Sequence, residues 1–511
     1  MSDQDATMRD PDDWREVRRF ALLDPSGEVP GSVFPTLYVA DELLVHTAEA
    51  DPRAIEELRA LAAKAGWALD LDAEDGGVEG PRSDPKRRRA PRRSRGASTS
   101  VLLHLGVASD ADRVVATPDA WALLRQARRS DWGRRGIGLN HVLTTDTIGL
   151  NPFKANPFKA NPFKANPFKA NPFKANAGTV GIGSYGDLGT GGLQPVTYLG
   201  PAPARRHPNA TPPIVAVFDT GAGEHPWLAD AVIEPRLRSG EPIGIDPASP
   251  TDPERDPSLA EPLDGIFDDA AGHGTFIAGI IRQECPDAMI LPARIADGEG
   301  VILENDLIGA LGRLVEFMDD TTLEKKRGGS RVAVLNLSFS YYHETPDDPG
   351  TVSELGRLLD EIRGRGCAVV CSAGNEATSR PTYPAAIPAE KPDLHVSVGA
   401  LNPSDRSVAL FSNVGDWVEV YAPGVSLLST VPVAFEGGIQ AGTRDDGHGR
   451  RRQTLDVDDF RGGFGVWSGT SFAAPVVAGR IAAQIVAGES PDAAKKIVVS
   501  ELAGRDRSRM E

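Results

Sequence analysis

The pattern of apolar positions along the chain changes near residue 200. Before that point, short apolar runs surround two segments in which apolar residues recur every three or four positions, as on one face of a helix. After it, near-continuous apolar runs such as IVAVFD and AVVCSAGN alternate with helix-like segments such as HGTFIAGIIRQE. Fully apolar strands between helices are typical of a parallel sheet covered by helices on both faces. Residues 201–511 are therefore predicted to form an α/β domain.

The N-terminal part predicts a smaller α+β domain of ferredoxin-like type over residues 32–148. Extended segments such as STSVLLHLGV and GIGLNHVLTTD surround two amphipathic helices, DPRAIEELRALAAKAGW and TPDAWALLRQARR. Asp51 and Thr117 stand where the N-caps of these helices are expected. PTLYVADELLVHTA predicts extended structure with a turn at Ala40 and Asp41.

Two segments flank this smaller domain, a polar tail over residues 1–31 and a linker over residues 149–200. The linker contains five identical NPFKA pentads, from Asn151 onward, and then a Gly-rich stretch. A period of five matches neither a helix nor a strand, and each proline removes a backbone donor. Pro-rich repeats are most often spacers, which is the interpretation we favour. A recognition or cleavage segment is the alternative, since each copy offers a Phe-Lys pair.

The charge balance bears on partners and location. The 55 basic residues against 72 acidic ones give a net charge of −17, which argues against a nucleic-acid partner. The basic stretch over residues 81–96 is better explained as a solvated loop than as a nucleic-acid arm. No apolar leader and no bilayer-length apolar run are visible, so we expect a cytoplasmic protein without a membrane partner. A true start further upstream would instead allow secretion.

The cysteines are too few for a disulfide framework, since the chain has only Cys285, Cys367 and Cys371. Cys367 and Cys371 share one predicted strand, in which four residues span about 13 Å, too far for a bond. All three are therefore expected to be buried thiols.

Three short motifs place reactive side chains at the ends of predicted elements. VAVFDTGAG puts Asp219 just past a strand, GHGTFIAGII puts His273 at the start of a helix, and SGTSFAAPVVAG puts Ser471 at the start of another. Parallel sheets bind ligands at the carboxyl ends of their strands, where these residues can meet. Histidine can take the serine proton, and a buried carboxylate then orients the imidazole. Asn375, in SAGNE after another strand, can donate its amide to an oxyanion.

Each motif has a simpler interpretation when it is taken alone. DTG suits a strand-end turn, a histidine after glycine is often structural, and GTS suits a helix cap. The order Asp, His, Asn, Ser, with every residue at a strand-to-helix switch, favours a catalytic site over four coincidences. A lipase-type hydrolase is disfavoured, because the serine does not lie in a G-x-S-x-G elbow.

The region from about residue 212 to 490 resembles the subtilisin-type (subtilase) serine peptidases. The matching segments include VAVFDTGAGEHPWL, GHGTFIAGII, AVVCSAGNE and SGTSFAAPVVAG. The resemblance implies that Asp219 orients the imidazole, His273 is the general base and acid, and Ser471 is the nucleophile. It assigns Asn375 to the oxyanion hole.

The resemblance also implies a substrate cleft with two walls. The segment expected to pair with an extended substrate, as one β-strand with another, consists of Leu337, Ser338 and Phe339. The wall of the pocket for the P1 side chain is expected to consist of Ser372, Ala373 and Gly374.

The chain departs from the family pattern at several points. Phe276 stands where the family has a second histidine, and Ser340 stands where it has a glycine, and either one could narrow the cleft. A Pro- and Asp-rich insertion precedes His273, and a second insertion covers residues 432–466. Many subtilases carry calcium, which acidic loops can bind, but no calcium-loop motif is present. We therefore assign no metal and no cofactor and leave structural calcium open.

The N-terminal domain resembles a propeptide in its position, size and element pattern. The resemblance of residues 212–490 to subtilases implies a serine endopeptidase that acts on protein or peptide substrates through an acyl-enzyme. Its own N-terminal domain is expected to be an intramolecular inhibitor until the chain is cleaved or triggered, with the cut in or near the NPFKA repeat. The alternative is a catalytically silent module that uses the same fold to bind peptides.

Overall fold

The computed structural model describes residues 19–25, 33–47, 49–71, 100–108, 114–133, 135–145, 192–260, 265–346, 353–388 and 393–508. The chain divides into two compact units, drawn from residues 1–83 with 100–141 and from residues 84–99 with 142–511. The basic stretch and the NPFKA repeat lie outside the described residues.

The first unit is a small α+β domain. Its strands are β1 (Phe20–Leu22), β2 (Leu37–His46), β3 (Trp67–Leu71), β4 (Ser100–Val107) and the first part of β5 (Ile137–Thr145). Its helices are α1 (Ala54–Ala65) and α2 (Ala120–Ala127), followed by a short 3-10 helix (Asp131–Gly133). The strands pair antiparallel in the order β5-β2-β4-β3, with β1 beside β2. This arrangement confirms the predicted ferredoxin-like class.

One helix shows why the sequence folds this way. Ala54, Leu58 and Ala62 recur every four residues along α1, and all three are buried. This stripe packs into an apolar core with side chains of β2, β4 and α2. Gly66 then ends α1 with a φ of 83°, a conformation that glycine adopts without strain.

Local details of the first unit differ from the sequence-based expectations. The predicted turn at Ala40 and Asp41 is wrong, because β2 runs through both residues and a register irregularity against β5 accommodates the polar position. Asp51 does not cap α1, since its carboxylate binds the backbone N–H and the guanidinium of Arg53. The cap of α2 is Asp119 and not Thr117, because Asp119 accepts the free N–H groups of the first turn.

The second unit contains the remaining elements. Its strands are β6 (Gln194–Pro195), β7 (Ile214–Asp219), β8 (Met289–Arg294), β9 (Val301–Leu303), β10 (Val332–Leu337), β11 (Phe339–Ser340), β12 (Ala368–Ser372), β13 (His395–Leu401), β14 (Val420–Pro423), β15 (Leu427–Thr430), β16 (Arg444–Gly447), β17 (Arg450–Gln453) and β18 (Phe464–Trp467). Its helices are α3 (His273–Glu284), α4 (Glu304–Asp319), α5 (Thr321–Lys326), α6 (Ser353–Gly364), α7 (Thr470–Val486) and α8 (Pro491–Arg505).

A six-stranded parallel sheet forms the centre of the second unit, in the order β14-β13-β12-β10-β7-β8. Strands β7, β10, β12 and β13 are buried at every position, so both faces of the sheet are covered. Helices α3 and α7 pack against each other through Phe276 and Phe472, whose ring centroids are 4.6 Å apart. The predicted α/β class is confirmed.

Two smaller sheets complete the second unit. Strand β6, which lies in the last part of the predicted linker over residues 149–200, pairs antiparallel with β18, and β18 also pairs with β15. The chain at Gln194 is therefore held beside the strand that precedes α7. Strands β16 and β17 form an exposed hairpin in the insertion over residues 432–466.

The cysteines are free and buried, as the sequence predicted. No helix in the described part of the chain combines the length and the apolar character that a bilayer crossing requires.

Candidate active site

The fold brings three remote residues to one end of the central sheet. Asp219 is the last residue of β7, His273 is the first residue of α3, and Ser471 is the second residue of α7. Each of the three is fully buried. Gly272, with a φ of 77°, makes the sharp turn into α3 that presents the imidazole.

A short hydrogen bond joins the carboxylate and the imidazole. The Nδ1 atom of His273 lies 2.7 Å from Oδ1 of Asp219, which also accepts the backbone N–H of Thr220 at 2.8 Å. This bond assigns the Nδ1–H tautomer and leaves Nε2 as the basic nitrogen. The ring is held edge-on to Trp467 at 5.7 Å and lies 5.0 Å from the ring of Phe472, the neighbour of the serine.

The serine is held at the N-terminus of α7 by a neighbouring loop. The hydroxyl of Ser338 donates to the carbonyl oxygen of Ser471 at 2.9 Å, and Oγ of Ser471 donates to the carbonyl of Ser338 at 3.4 Å. Nε2 of His273 is buried and has no hydrogen-bond partner among the described residues. The serine-to-histidine bond is thus not made in this state, and such bonds often tighten only when substrate binds.

The amide of Asn375 is oriented by the residue before the serine. Its Oδ1 accepts the backbone N–H of Thr470 at 3.0 Å and the hydroxyl of Thr470 at 2.9 Å. An amide held in this way is suited to stabilise negative charge near the hydroxyl of Ser471.

The predicted pocket wall, Ser372, Ala373 and Gly374, continues β12 toward Asn375. Gly374 has a φ of 95°, and a Cβ there would lie 2.5 Å from Nδ2 of Asn413 and 2.8 Å from Oε2 of Glu376. Only glycine fits this position, so the predicted wall is bare backbone at Gly374.

Glu376 and Asn413 back this wall, and sequence reasoning missed both. The Glu376 carboxyl accepts the hydroxyl of Tyr342 at 2.9 Å and the amide of Asn413 at 3.0 Å. Burial raises the pKa of Glu376 above its ordinary value. No spacing in the sequence signals these partners, because they come from three separate loops.

An extended segment of the chain lies between the short strands β9 and β11. Residues 142–145, the end of β5, belong to the second unit and pair antiparallel with β9 on one side and β11 on the other. Thr145 lies opposite Phe339, and its N–H donates to the carbonyl of Gly300 at 2.8 Å. Strands β9 and β11 therefore each pair with one extended segment that lies between them.

The predicted pairing segment is placed in two different strands. Phe339 lies in the edge strand β11, and Ser338 connects β11 to the central sheet. Leu337 lies in β10, where it pairs with Phe218 and Cys371 on either side. Its backbone is thus part of the central sheet and not of the cleft edge.

The two departures from the family pattern have different surroundings. Phe276 is fully buried between Trp467 and Phe472, so it fills the core under the site and does not line the cleft. Ser340 lies in β11 opposite Thr144, at the cleft edge.

A further buried carboxyl, that of Glu254, comes from the Pro- and Asp-rich insertion and was not predicted. It accepts hydrogen bonds from the hydroxyls of Thr220 and Thr275, each close in sequence to a member of the catalytic pair. In the sequence it is one of many acidic residues in a Pro-rich loop, and nothing there singles it out.

A carboxylate-held imidazole, a serine at a helix N-terminus and a fixed amide define the site of a serine hydrolase on an α/β fold. The sequence matches the family model of the subtilase family over residues 211–502, more than half of the chain. The chain belongs to the subtilase family.

The relatives it matches are peptidases by name. Subtilisin NAT of Bacillus subtilis subsp. natto is 27% identical over 219 residues, which is 41% of this chain and 44% of that protein. The thermophilic serine proteinase of Bacillus sp. (strain AK1) is 30% identical over 169 residues, 31% of this chain and 36% of that protein. Fervidolysin of Fervidobacterium pennivorans is 28% identical over 286 residues, 53% of this chain and 34% of that protein. The chain thus spans less than half the length of each of these relatives.

Among solved structures, the chain is similar to a cold adapted subtilisin-like serine proteinase. The identity is 20% and the TM-score is 0.38, and the match covers 58% of this chain and 84% of that one.

Proposed function

We propose that this protein is a serine endopeptidase that cleaves protein or peptide substrates through an acyl-enzyme intermediate. The observation that carries the proposal is the fully buried pair of Asp219 and His273, 2.7 Å apart, at the same end of the sheet as Ser471. A buried carboxylate–imidazole pair beside a serine is the arrangement that nucleophilic acyl transfer requires.

The proposed reaction uses each group once in each half. Oγ of Ser471 attacks the scissile carbonyl while Nε2 of His273 takes its proton, and Asp219 stabilises the imidazolium. The backbone N–H of Ser471 and the amide of Asn375 bind the oxyanion. His273 then protonates the leaving amine as the C–N bond breaks. Water repeats the sequence on the acyl-enzyme and frees the serine.

We further propose that the N-terminal module is an intramolecular inhibitor. The support is the segment of residues 142–145, which pairs with both β9 and β11. In the chain this segment directly follows His141, the last residue of the module. A β-strand edge accepts one partner at a time, so a substrate strand cannot pair there until this segment leaves.

Proteolysis would release this restraint. Thr145 ends one strand and Gln194 begins another, and the chain between them includes the NPFKA repeat. A cut between Thr145 and Gln194 would leave β6 in its sheet and free the segment that occupies the cleft. We therefore place the activating cleavage in this interval.

The test compares wild type with Ser471→Ala and His273→Ala. We expect an organophosphonate probe to label Ser471 in activated wild type and to label neither variant. Intact mass spectrometry over time should show a new N-terminus between residues 145 and 194 in wild type alone. An intact mass that stays unchanged on incubation, together with no labelling even after an added protease has cut the linker, would instead support the silent peptide-binding module.

A further inference from the structure

A second carboxyl group lies behind the catalytic pair. Glu254 is 2% exposed, and its Oε1 accepts the hydroxyl of Thr220 at 2.5 Å and the backbone N–H of Gly274 at 3.1 Å. Its Oε2 accepts the hydroxyl of Thr275. Among the described residues, the hydrogen bonds to this carboxyl group come from two segments that also carry the proposed catalytic residues.

The position of these partners links strand β7 to helix α3. Thr220 follows Asp219 directly, and Gly274 follows His273 directly. The hydroxyl oxygen of Thr220 also accepts the N–H of Gly274 at 2.8 Å. Glu254 therefore holds the chain neighbours of the carboxylate and of the imidazole in one network.

Two glycines after Asp219 leave room for the loop that carries Glu254. A Cβ on Gly223 would lie 2.7 Å from the carbonyl oxygen of Glu254, and Gly221 has a φ of 114°. The loop is fixed on its other side by Arg294, which donates to the hydroxyl of Thr251 at 3.1 Å. Two glycines of the DTGAG motif thus allow an insertion to reach the rear of the site.

The hydroxyl of Thr220 has one proton and two carboxyl groups that can accept it. Oε1 of Glu254 lies at 2.5 Å and Oδ1 of Asp219 at 3.1 Å. When Glu254 is ionised, the shorter bond takes the proton. When Glu254 is protonated, it can donate its own proton to a hydroxyl, and Thr220 can turn toward Asp219.

We propose that Glu254 is a positioning residue that fixes the geometry of Asp219 and His273 and, when ionised, stabilises the imidazolium. The proposal rests on the proposed peptidase function. A negative charge near a developing positive charge favours it, and a hydrogen-bonded link restrains the two segments that must stay in register.

The charged groups that face Glu254 are Asp219, Asp252 and Arg294. Burial raises the pKa of Glu254 to about 7, against the opposing hydrogen bonds from Thr220 and Thr275. The charge of Glu254 therefore changes near neutral pH.

The kinetic test uses Glu254→Gln, Glu254→Ala and the matched control Glu241→Gln, an exposed glutamate four residues before the insertion. Gln removes the charge and keeps one acceptor oxygen, which can still serve Thr220 and Gly274, while its amide nitrogen can donate to the hydroxyl of Thr275 in place of accepting from it. We expect it to move the acidic limb of the kcat/KM profile to lower pH by about half a unit or more, with kcat within about tenfold of wild type. Ala should lower kcat by at least about tenfold with KM within about twofold, and the control should match wild type.

A second readout does not depend on peptidase activity. In a Ser471→Ala background labelled with 15N-histidine, the imidazole of His273 is titrated by NMR with and without Glu254→Gln. We expect a lower midpoint with Gln. An unchanged midpoint would overturn the charge role, and a wild-type kcat in Glu254→Ala would overturn the positioning role. A shifted midpoint in a chain that cleaves nothing would leave this inference standing and remove only the peptidase assignment.

Discussion

Replacement of Asn375 separates its proposed catalytic role from its structural one. Asn375→Ala removes the Nδ2 donor, and loss of the same donor in a subtilisin costs about 2.7–4 kcal/mol of transition-state energy, or about 10²–10³ in kcat. The same variant leaves the N–H and the hydroxyl of Thr470 without their acceptor, at 3.0 and 2.9 Å in the native protein. Unpaired buried donors cost about 1–3 kcal/mol, so the free energy of unfolding should also fall.

Asn375→Asp is the matched variant, because it keeps an oxygen acceptor for Thr470, loses the donor and adds a negative charge. Since Thr470 keeps its acceptor, we expect its unfolding free energy to fall less than that of Asn375→Ala. Its kcat should fall at least as far as that of Asn375→Ala, because a carboxylate repels an oxyanion. Steady-state hydrolysis of a peptide anilide by the processed enzyme gives kcat and KM, and urea unfolding gives the stability.

The reasoning would be refuted by a kcat within about threefold of wild type in both variants. It would also fail if activity fell only in proportion to the loss of stability, so that Asn375→Asp remained active. A rise in KM with kcat unchanged would place the amide in ground-state binding instead of in the oxyanion hole.

Four further predictions concern the pocket, the core, the cleft and the pH dependence. Gly374→Ala should lower kcat/KM at least about tenfold, because its Cβ would meet Nδ2 of Asn413 at 2.5 Å in a strained backbone, and unimpaired cleavage would contradict the assignment of the wall. Phe276→Ala should lower the unfolding free energy by about 3–5 kcal/mol in urea titrations, whereas a value below about 1 kcal/mol would contradict its core position. Thr145→Pro removes the N–H that donates to Gly300 at 2.8 Å, so the unprocessed protein should bind a competing peptide about fivefold or more tightly in fluorescence polarisation, and equal binding would argue against occlusion. Burial lowers the pKa of His225 to about 4, so the unfolded state binds more protons between about pH 6.5 and 4; the unfolding free energy should fall as the pH is lowered through this window, and His225→Gln should flatten that slope.

Much of the fold could be predicted from local patterns of apolar and polar residues. HGTFIAGIIRQE predicted α3, which the structure places at His273–Glu284, and the run IVAVFD predicted β7. These elements are predictable because helix and strand periods, and continuous burial in a parallel sheet, are written in consecutive residues. The nucleophile, base, carboxylate and amide were nominated for the same reason, since each lies in a short motif at a strand or helix end.

What only the tertiary structure decided are the contacts between loops that are remote in sequence. Glu254 is 19 residues before His273 and lies in a Pro- and Asp-rich insertion, yet it binds Thr220 and Thr275. Asn413 donates to the carbonyl oxygen of Ala373 from a loop that is remote from it in sequence. Such contacts depend on how the sheet brings separate loops to one edge, and no local period records that arrangement.

The wrongly predicted turn at Ala40 and Asp41 shows how tertiary contacts can override a local sequence signal. A turn at these residues would have broken β2, but the strand pairs with β5 both before them, at Tyr38, and after them, at Leu43, and so stays continuous. Sequence by itself therefore determined the elements, the fold class and the candidate chemistry of this protein. The tertiary structure decided that residues 142–145 pair with β9 and β11, and that the buried carboxyl of Glu254 binds Thr220 and Thr275. Both arrangements are set by long-range packing and not by local propensity.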